Sequence, residues 1–201
     1  VSTFFKSFLR KVRLYLYVTR ASGIVRRYFI LNGFDGAITI FGIVLGALVV
    51  RVTSPEIIVA AGLGACLAMG ISGFFGAYMA EKAERESHLR DMEKATRNNV
   101  DPIHYEASRF IIFYVAIVDG VSPILTAIVP LIPFILALKG LLPINQAFMF
   151  SLPLALATLF MLGYLLGRLT RGNAWLYAIK MLAVGMLTAI IIFILQLCST
   201  L

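Results

Sequence analysis

"YFILNGFDGAITIFGIVLGALVV", residues 28–50, is apolar or small almost throughout, yet it carries one charge, the carboxylate of Asp35, within its first half. About 20 predominantly apolar residues make a helix long enough to cross the hydrocarbon of a bilayer. A lone acid inside such a run costs from ~3 kcal/mol on insertion scales to over ~10 in simulations, so it needs a cavity, a partner or a pathway. Four further stretches, roughly 55–80, 108–138, 144–167 and 173–197, repeat the apolar pattern. With 60% hydrophobic and 14% charged residues, the chain lies outside the range of soluble domains. Runs of this length lack the short alternation of a membrane barrel, and backbone in lipid must satisfy itself within the segment. The sequence predicts an all-α, multi-pass integral membrane protein with five transmembrane helices, and leaves the membrane it occupies open.

Orientation follows from Lys and Arg, which concentrate in cytoplasmic loops. Lys6, Arg10, Lys11, Arg13, Arg20, Arg26 and Arg27 precede the first span, six more lie in 81–109, and Arg168 and Arg171 sit in the last turn between spans. The other side has Arg51 and Lys139. The N-terminus is therefore expected in the cytoplasm and the C-terminus outside. Most of the +8 net charge lies in this asymmetry, which fits anionic lipid headgroups; no nucleic-acid motif accompanies it.

The chain divides into a basic segment, 1–27, and a five-helix transmembrane domain, 28–201. In the first segment Phe4, Phe5, Phe8, Val12 and Leu16 share one helical face while Lys6, Arg10, Arg13 and Arg20 lie opposite, the pattern of a helix lying on the cytoplasmic leaflet. A basic tail that only enforces topology is the other reading. No uninterrupted apolar core or small-residue cleavage site marks a cleavable signal. Cys66 and Cys198 fall within spans and match neither a disulfide framework nor a metal-ligand spacing.

Asp35 stands eight residues after Arg27, about 12 Å along a helix, and Asp119 ten after Arg109, about 15 Å. Both spans enter from the basic side, so the two carboxylates should lie at similar depth. Each is followed by Gly and then by hydroxyls, Thr39 in one case and Ser122 and Thr126 in the other. Asp35, Thr39, Gly42 and Gly46 fall on one stripe, and the Gly42–Gly46 spacing permits close approach of another helix. That stripe reads as a narrow polar path between helices or subunits; alternatively, Asp35 caps a broken helix or bonds Asn32 and nearby amides. Pro123, Pro130 and Pro133 each remove a backbone donor, so the third span is expected to kink or break just beyond Asp119. Such a break exposes carbonyls to ions in some transporters; a kink that only shapes packing is the plainer reading. Lys180 is expected to snorkel to the interface.

The second span continues into "EKAERESHLRDMEKATRN", residues 81–98, without a helix breaker. Glu81, Glu84, His88 and Asp91 share a stripe, while Glu81–Arg85, Glu86–Arg90 and Glu93–Arg97 supply i,i+4 pairs. A solvated helix held by ion pairs and a collector of divalent cations both fit, the second only with help from another chain.

"LNGFDGAITIFGIVLGAL" resembles the first-span signature of the vacuolar iron transporter family, Asn-Asp-Gly followed by Thr, Phe-Gly and a further Gly. "GISGFFGAYMAEKAERE" is similar to that family's second span running into a charged helix, and "IVPLIPF" to its proline-rich third span. The resemblance implies a homodimer in which Fe²⁺ or Mn²⁺ moves between the first spans, commonly coupled to protons, with Asp35 as the pathway carboxylate. The chain departs from the family at Ser72-Gly73-Phe74-Phe75-Gly76-Ala77-Tyr78, where a Met and a Glu are usual. Met69 and Glu81 lie one turn to either side of those vacancies, and Asp119 is a further candidate for the second carboxylate. The 81–107 loop is also too short for a separate glutamate-rich metal domain.

The expected function is divalent cation transport, with Asp35, Asp119, Glu81, Glu84, His88 and Asp91 as metal-binding candidates and Asn32, Thr39, Gly42 and Gly46 along the path. No cofactor is expected beyond the transported ion. A non-transporting scaffold with internally bonded aspartates is the alternative. Intramembrane alcohol phosphotransferases also use Asp-Gly, but none of the further closely spaced aspartates they need follows Asp35.

Overall fold

The computed structural model describes residues 10, 12–19, 21–97 and 100–199. A short helical stretch over 12–18 precedes five long helices: α1 (Ser22–Val49), α2 (Pro55–Ala95), α3 (Pro102–Leu138), α4 (Ile144–Leu169) and α5 (Ala174–Ser199). All five are long and apolar enough to cross a membrane. Residues 4, 5, 6, 8 and 20 of the predicted amphipathic face lie outside the described residues. Of that face, Leu16 packs against the bundle beside Ala21, Val25 and Ile111.

Local chemistry marks the helix ends. Pro55 and Pro102 open α2 and α3 at positions where a missing N–H costs nothing, and the Asp101 carboxylate caps α3 by accepting from Ile103 N at 3.0 Å. At the far ends, Val52 N bonds Ala47 O, Leu141 N bonds Leu136 O, and Gly172 N bonds Gly167 O, closing three helices with the same wide turn. Gly140 takes the left-handed conformation in one of these turns, but Arg51 and Arg171 take it in the other two, at φ 58° and 54°. An arginine there suits the negative end of the helix dipole while bearing a backbone strain that glycine avoids.

The central helix is α3, which packs on α1, α2 and α4, whereas α1 and α2 meet little and α5 rests mainly on α4. Around α3 the core divides into an outer layer near Ile40, Val44, Ile58, Leu131 and Phe134, and a layer near the charged end with Val25, Ala77, Ile111 and Val115. Large apolar side chains such as Leu125, Met161, Ile190 and Leu195 are exposed on the outside, the inverse of a soluble surface and the state expected of helices facing lipid. Cys66 is buried in the core and Cys198 is exposed.

The expected break beyond Asp119 does not occur. α3 runs unbroken through Pro123, Pro130 and Pro133. Pro123 has no N–H to give the carbonyl of Asp119, four residues back, but Asn32 Nδ2 on α1 donates to that oxygen at 2.8 Å and Ser122 Oγ at 3.2 Å. A neighbouring helix thus supplies the donor that the proline lacks. Ser151 on α4 also donates to α3, at the carbonyl of Pro130, 2.7 Å away.

The charged extension is one continuous helix with the second span, ending at Ala95. Of the pairs expected on it, Glu81–Arg85 forms at 3.4 Å, while Glu86 lies 4.0 Å from Lys82 and Glu93 accepts from the Tyr105 hydroxyl at 2.6 Å. The bond to Glu93 pushes the Tyr105 phenol above its ordinary pKa. Lys180 sits with its ammonium 5.6 Å from the Tyr177 ring.

Candidate functional site

Because α1 and α2 diverge, a groove of about 560 Å³ opens between them at the level of Asp35. Asn32, Asp35 and Thr39 line it from α1; Met69, Ser72 and Gly73 line it from α2. The α1 residues follow from helical spacing, offsets of three and four placing them on one face. Asp35 is exposed on the single chain, and among the described residues no donor reaches its carboxylate. Thr39 Oγ1 reaches across to Met69 Sδ at 3.5 Å, the one polar link between the two walls that the groove residues make.

Asp119 lies behind the groove and is 7% exposed. Gly73 separates the two. A methyl group on Gly73 would meet the Asn32 amide and stand 3.0 Å from Asp119 Oδ2, so only glycine lets this cluster sit against the groove wall. Asn32 therefore has two roles: it lines the groove and it bonds the Asp119 carbonyl. Two turns further along α3 from Asp119, the single proton of Thr126 Oγ1 has three carbonyls within reach, and the shortest contact, 2.7 Å, is to Gly33 O on α1. The groove is thus backed by a polar seam between α1 and α3.

Gly42 and Gly46 continue the Asp35–Thr39 stripe, and among the described residues nothing beyond the local turn of α1 lies within 4 Å of a Cβ built on either. Gly64 and Gly76 on the outer face of α2 are equally open. The four residues of the charged extension behave differently. Glu84, His88 and Asp91 are exposed, while Glu81 is 5% exposed and turned inward onto Arg85. Among the described residues no three His, Cys, Asp or Glu side chains gather closely enough to hold a metal.

Periodicity did not name Ser72 and Gly73 as groove residues, since the second span is apolar or small on every side; only the departure from the family motif singled out that stretch. Met69 was legible only through its distance from a vacant motif position. The burial of Arg85 had no sequence signal beyond its pairing with Glu81.

Five helices long and apolar enough to cross a membrane, with a groove lined by Asn32, Asp35 and Thr39 on the first of them, define a multi-pass integral membrane protein. Residues 26–114 and 113–196 match the model of the VIT family, and the chain belongs to that family, the vacuolar iron transporters. An uncharacterized protein of Methanocaldococcus jannaschii is 30% identical over 174 residues, covering 85% of this chain and 87% of the relative. The family is one of membrane metal-ion transporters, and membership is consistent with a non-enzymatic role.

Proposed function

We propose that the protein carries Fe²⁺ or Mn²⁺ across the membrane as a homodimer, with the ion passing along the α1 stripes of two facing copies. The observation that carries this reading is Asp35: a carboxylate on a membrane helix, exposed on the single chain, with no donor from the described residues. Such a group costs several kcal/mol unless a polar path or a cation accompanies it. A second copy brought against the open Gly42–Gly46 surface doubles the carboxylate and encloses the groove.

The donor set fits a borderline divalent ion. Asp35 offers hard oxygen, Thr39 and Asn32 neutral oxygen, and Met69 a soft thioether on the same groove. Met69 thus stands where the missing second-span methionine is compensated by one a turn earlier. Asp119 adds negative charge from behind Gly73 without lining the groove itself. Protons exchange on the same carboxylates when the metal leaves, which couples the two fluxes. The basic residues of 10–27, of the α2 extension and of the α4–α5 turn face the cytoplasm in this reading.

The scaffold reading draws on Asp119, which is buried and held at its backbone by Asn32; it has no equivalent support at Asp35. The deciding experiment is uptake of Fe²⁺, Mn²⁺, Co²⁺ and Zn²⁺ by purified protein in liposomes, with and without a pH gradient. Saturable Fe²⁺ or Mn²⁺ uptake that Asp35→Asn abolishes is expected. Wild-type uptake by a well-folded Asp35→Asn protein would falsify the pathway assignment.

A further inference from the structure

Beyond the membrane-spanning part of α2, Arg85 is 7% exposed, an unusual state for a guanidinium on a charged, water-facing helix. Its Nη1 donates to the Thr19 carbonyl at 3.3 Å and its Nη2 stands 3.4 Å from Glu81 Oε2. Nη2 faces Glu81 Oε2 without hydrogen-bond geometry, so Nε, Nη2 and that carboxylate oxygen all lack a hydrogen-bond partner among the described residues, and Nε has no facing acceptor at all. Buried donors without acceptors are rare, and each calls for a bound water, ion or ligand.

The space beside them is a cavity of about 180 Å³ between residues 18–19, the α2 extension and the start of α3. Thr19, Arg85, His88, Met92, His104 and Ser108 line it. Both histidines of the chain meet there from different helices, and Ser108 is 5% exposed. No carboxylate lines the cavity. Glu81 stands against Arg85 Nη2 outside the lining, so a divalent cation in the cavity would meet the guanidinium first, whereas Arg85, two imidazoles and a hydroxyl together offer donors to one tetrahedral anion.

We propose that this cavity binds a phosphate group, gripped by Arg85 through Nε and Nη2 and flanked by His88, His104 and Ser108. Occupancy ties residues 12–19 to the charged end of the bundle, adding to the Tyr15 hydroxyl's bond to Glu106 at 3.1 Å. The phosphate comes either from solution or from the headgroup of an anionic lipid, since the same donors serve both.

The test uses the full chain in two settings. In lipid-free detergent, inorganic phosphate is titrated against chloride at equal ionic strength; in nanodiscs, phosphatidic acid in phosphatidylcholine is compared with phosphatidylcholine alone. The readouts are the thermal midpoint and protease protection at residues 10–19. Saturable stabilisation with protection is expected in at least one setting: by inorganic phosphate for a soluble ligand, by phosphatidic acid alone for a lipid headgroup. The paired substitution His88→Gln with His104→Gln should weaken the apparent affinity at least about tenfold, as losing charge-assisted bonds does. Glu81→Met with Arg85→Met, which removes both buried charges together, should abolish it. If that second variant fails to fold, the histidine pair decides alone. Stabilisation in neither setting, or equal stabilisation of wild type and the histidine variant, overturns the proposal. So does stabilisation by Mn²⁺ alone that the histidine substitutions remove.

Discussion

Asp35-Gly36 and Asp119-Gly120 are the same dipeptide at similar depth on two packed helices, yet their acids end in opposite environments. Asp35 opens onto the groove between α1 and α2, while Asp119 is buried behind Gly73. Their glycines, by contrast, do the same thing. A methyl on Gly36 would stand 2.5 Å from the Pro123 carbonyl oxygen, and one on Gly120 would stand 2.7 Å from the Gly70 carbonyl oxygen. Each Asp-Gly therefore marks a helix crossing. The glycine belongs to the crossing, and the acid one position earlier takes whatever lies beside it.

The comparison breaks most visibly at the glycines. Gly36→Ala and Gly120→Ala should each destabilise by about 3 kcal/mol or more, because a fixed backbone rather than a flexible side chain meets the new methyl. Gly42→Ala, which meets nothing on another element among the described residues, should not lower the thermal midpoint of the detergent-solubilised monomer. Equal losses at Gly36 and Gly42 would mean that α1 packs differently from the arrangement described.

The acids should separate in flux rather than in stability. Asp35→Asn is expected to fold normally and lose Mn²⁺ or Fe²⁺ flux by at least on the order of tenfold, since even outer-shell partners of a metal carry that much. Asp119→Asn should lose less, because that side chain does not line the groove. A reversed order would move the path from the α1–α2 groove to the α1–α3 seam.

A smaller effect sharpens the role of that seam. Thr126→Val removes the hydroxyl that donates to Gly33 O and should cost about 1 kcal/mol in unfolding while leaving metal affinity in place. If flux falls with the stability change, the seam is part of the path. The smallest effect is expected at Arg51, whose left-handed backbone at φ 58° is strained: Arg51→Gly should gain a few tenths to about 1 kcal/mol without altering flux. That variant is the control showing that flux does not simply follow stability.

Much of this architecture was legible before any coordinates. The all-helical class and the count of five long apolar helices follow from hydropathy and helical period. Of the kink or break expected at the proline-rich stretch, the break does not form, because a sequence shows the donor that Pro123 lacks but not the Asn32 amide that replaces it from another helix. The charged extension misled in a similar way. Its stripe of Glu81, Glu84, His88 and Asp91 looks uniform along one helix, yet beside the layer of Leu16, Ala21 and α3 Glu81 is buried while Glu84, His88 and Asp91 are exposed.

The sequence by itself determined that the chain is a five-span membrane protein, that its basic residues gather at one end, and that an acid lies partway across the first span. Those properties depend on length, hydropathy and period, which act within a segment. Only the tertiary structure decided that α1 and α2 diverge to form a groove, that Met69 joins Asp35 there, that Asp119 is hidden, and that Arg85 is buried beside two histidines. These depend on which face of each helix meets α3, and in spans apolar on every side that choice is made by close contacts between glycines, prolines and hydroxyls on different helices, which no single segment encodes.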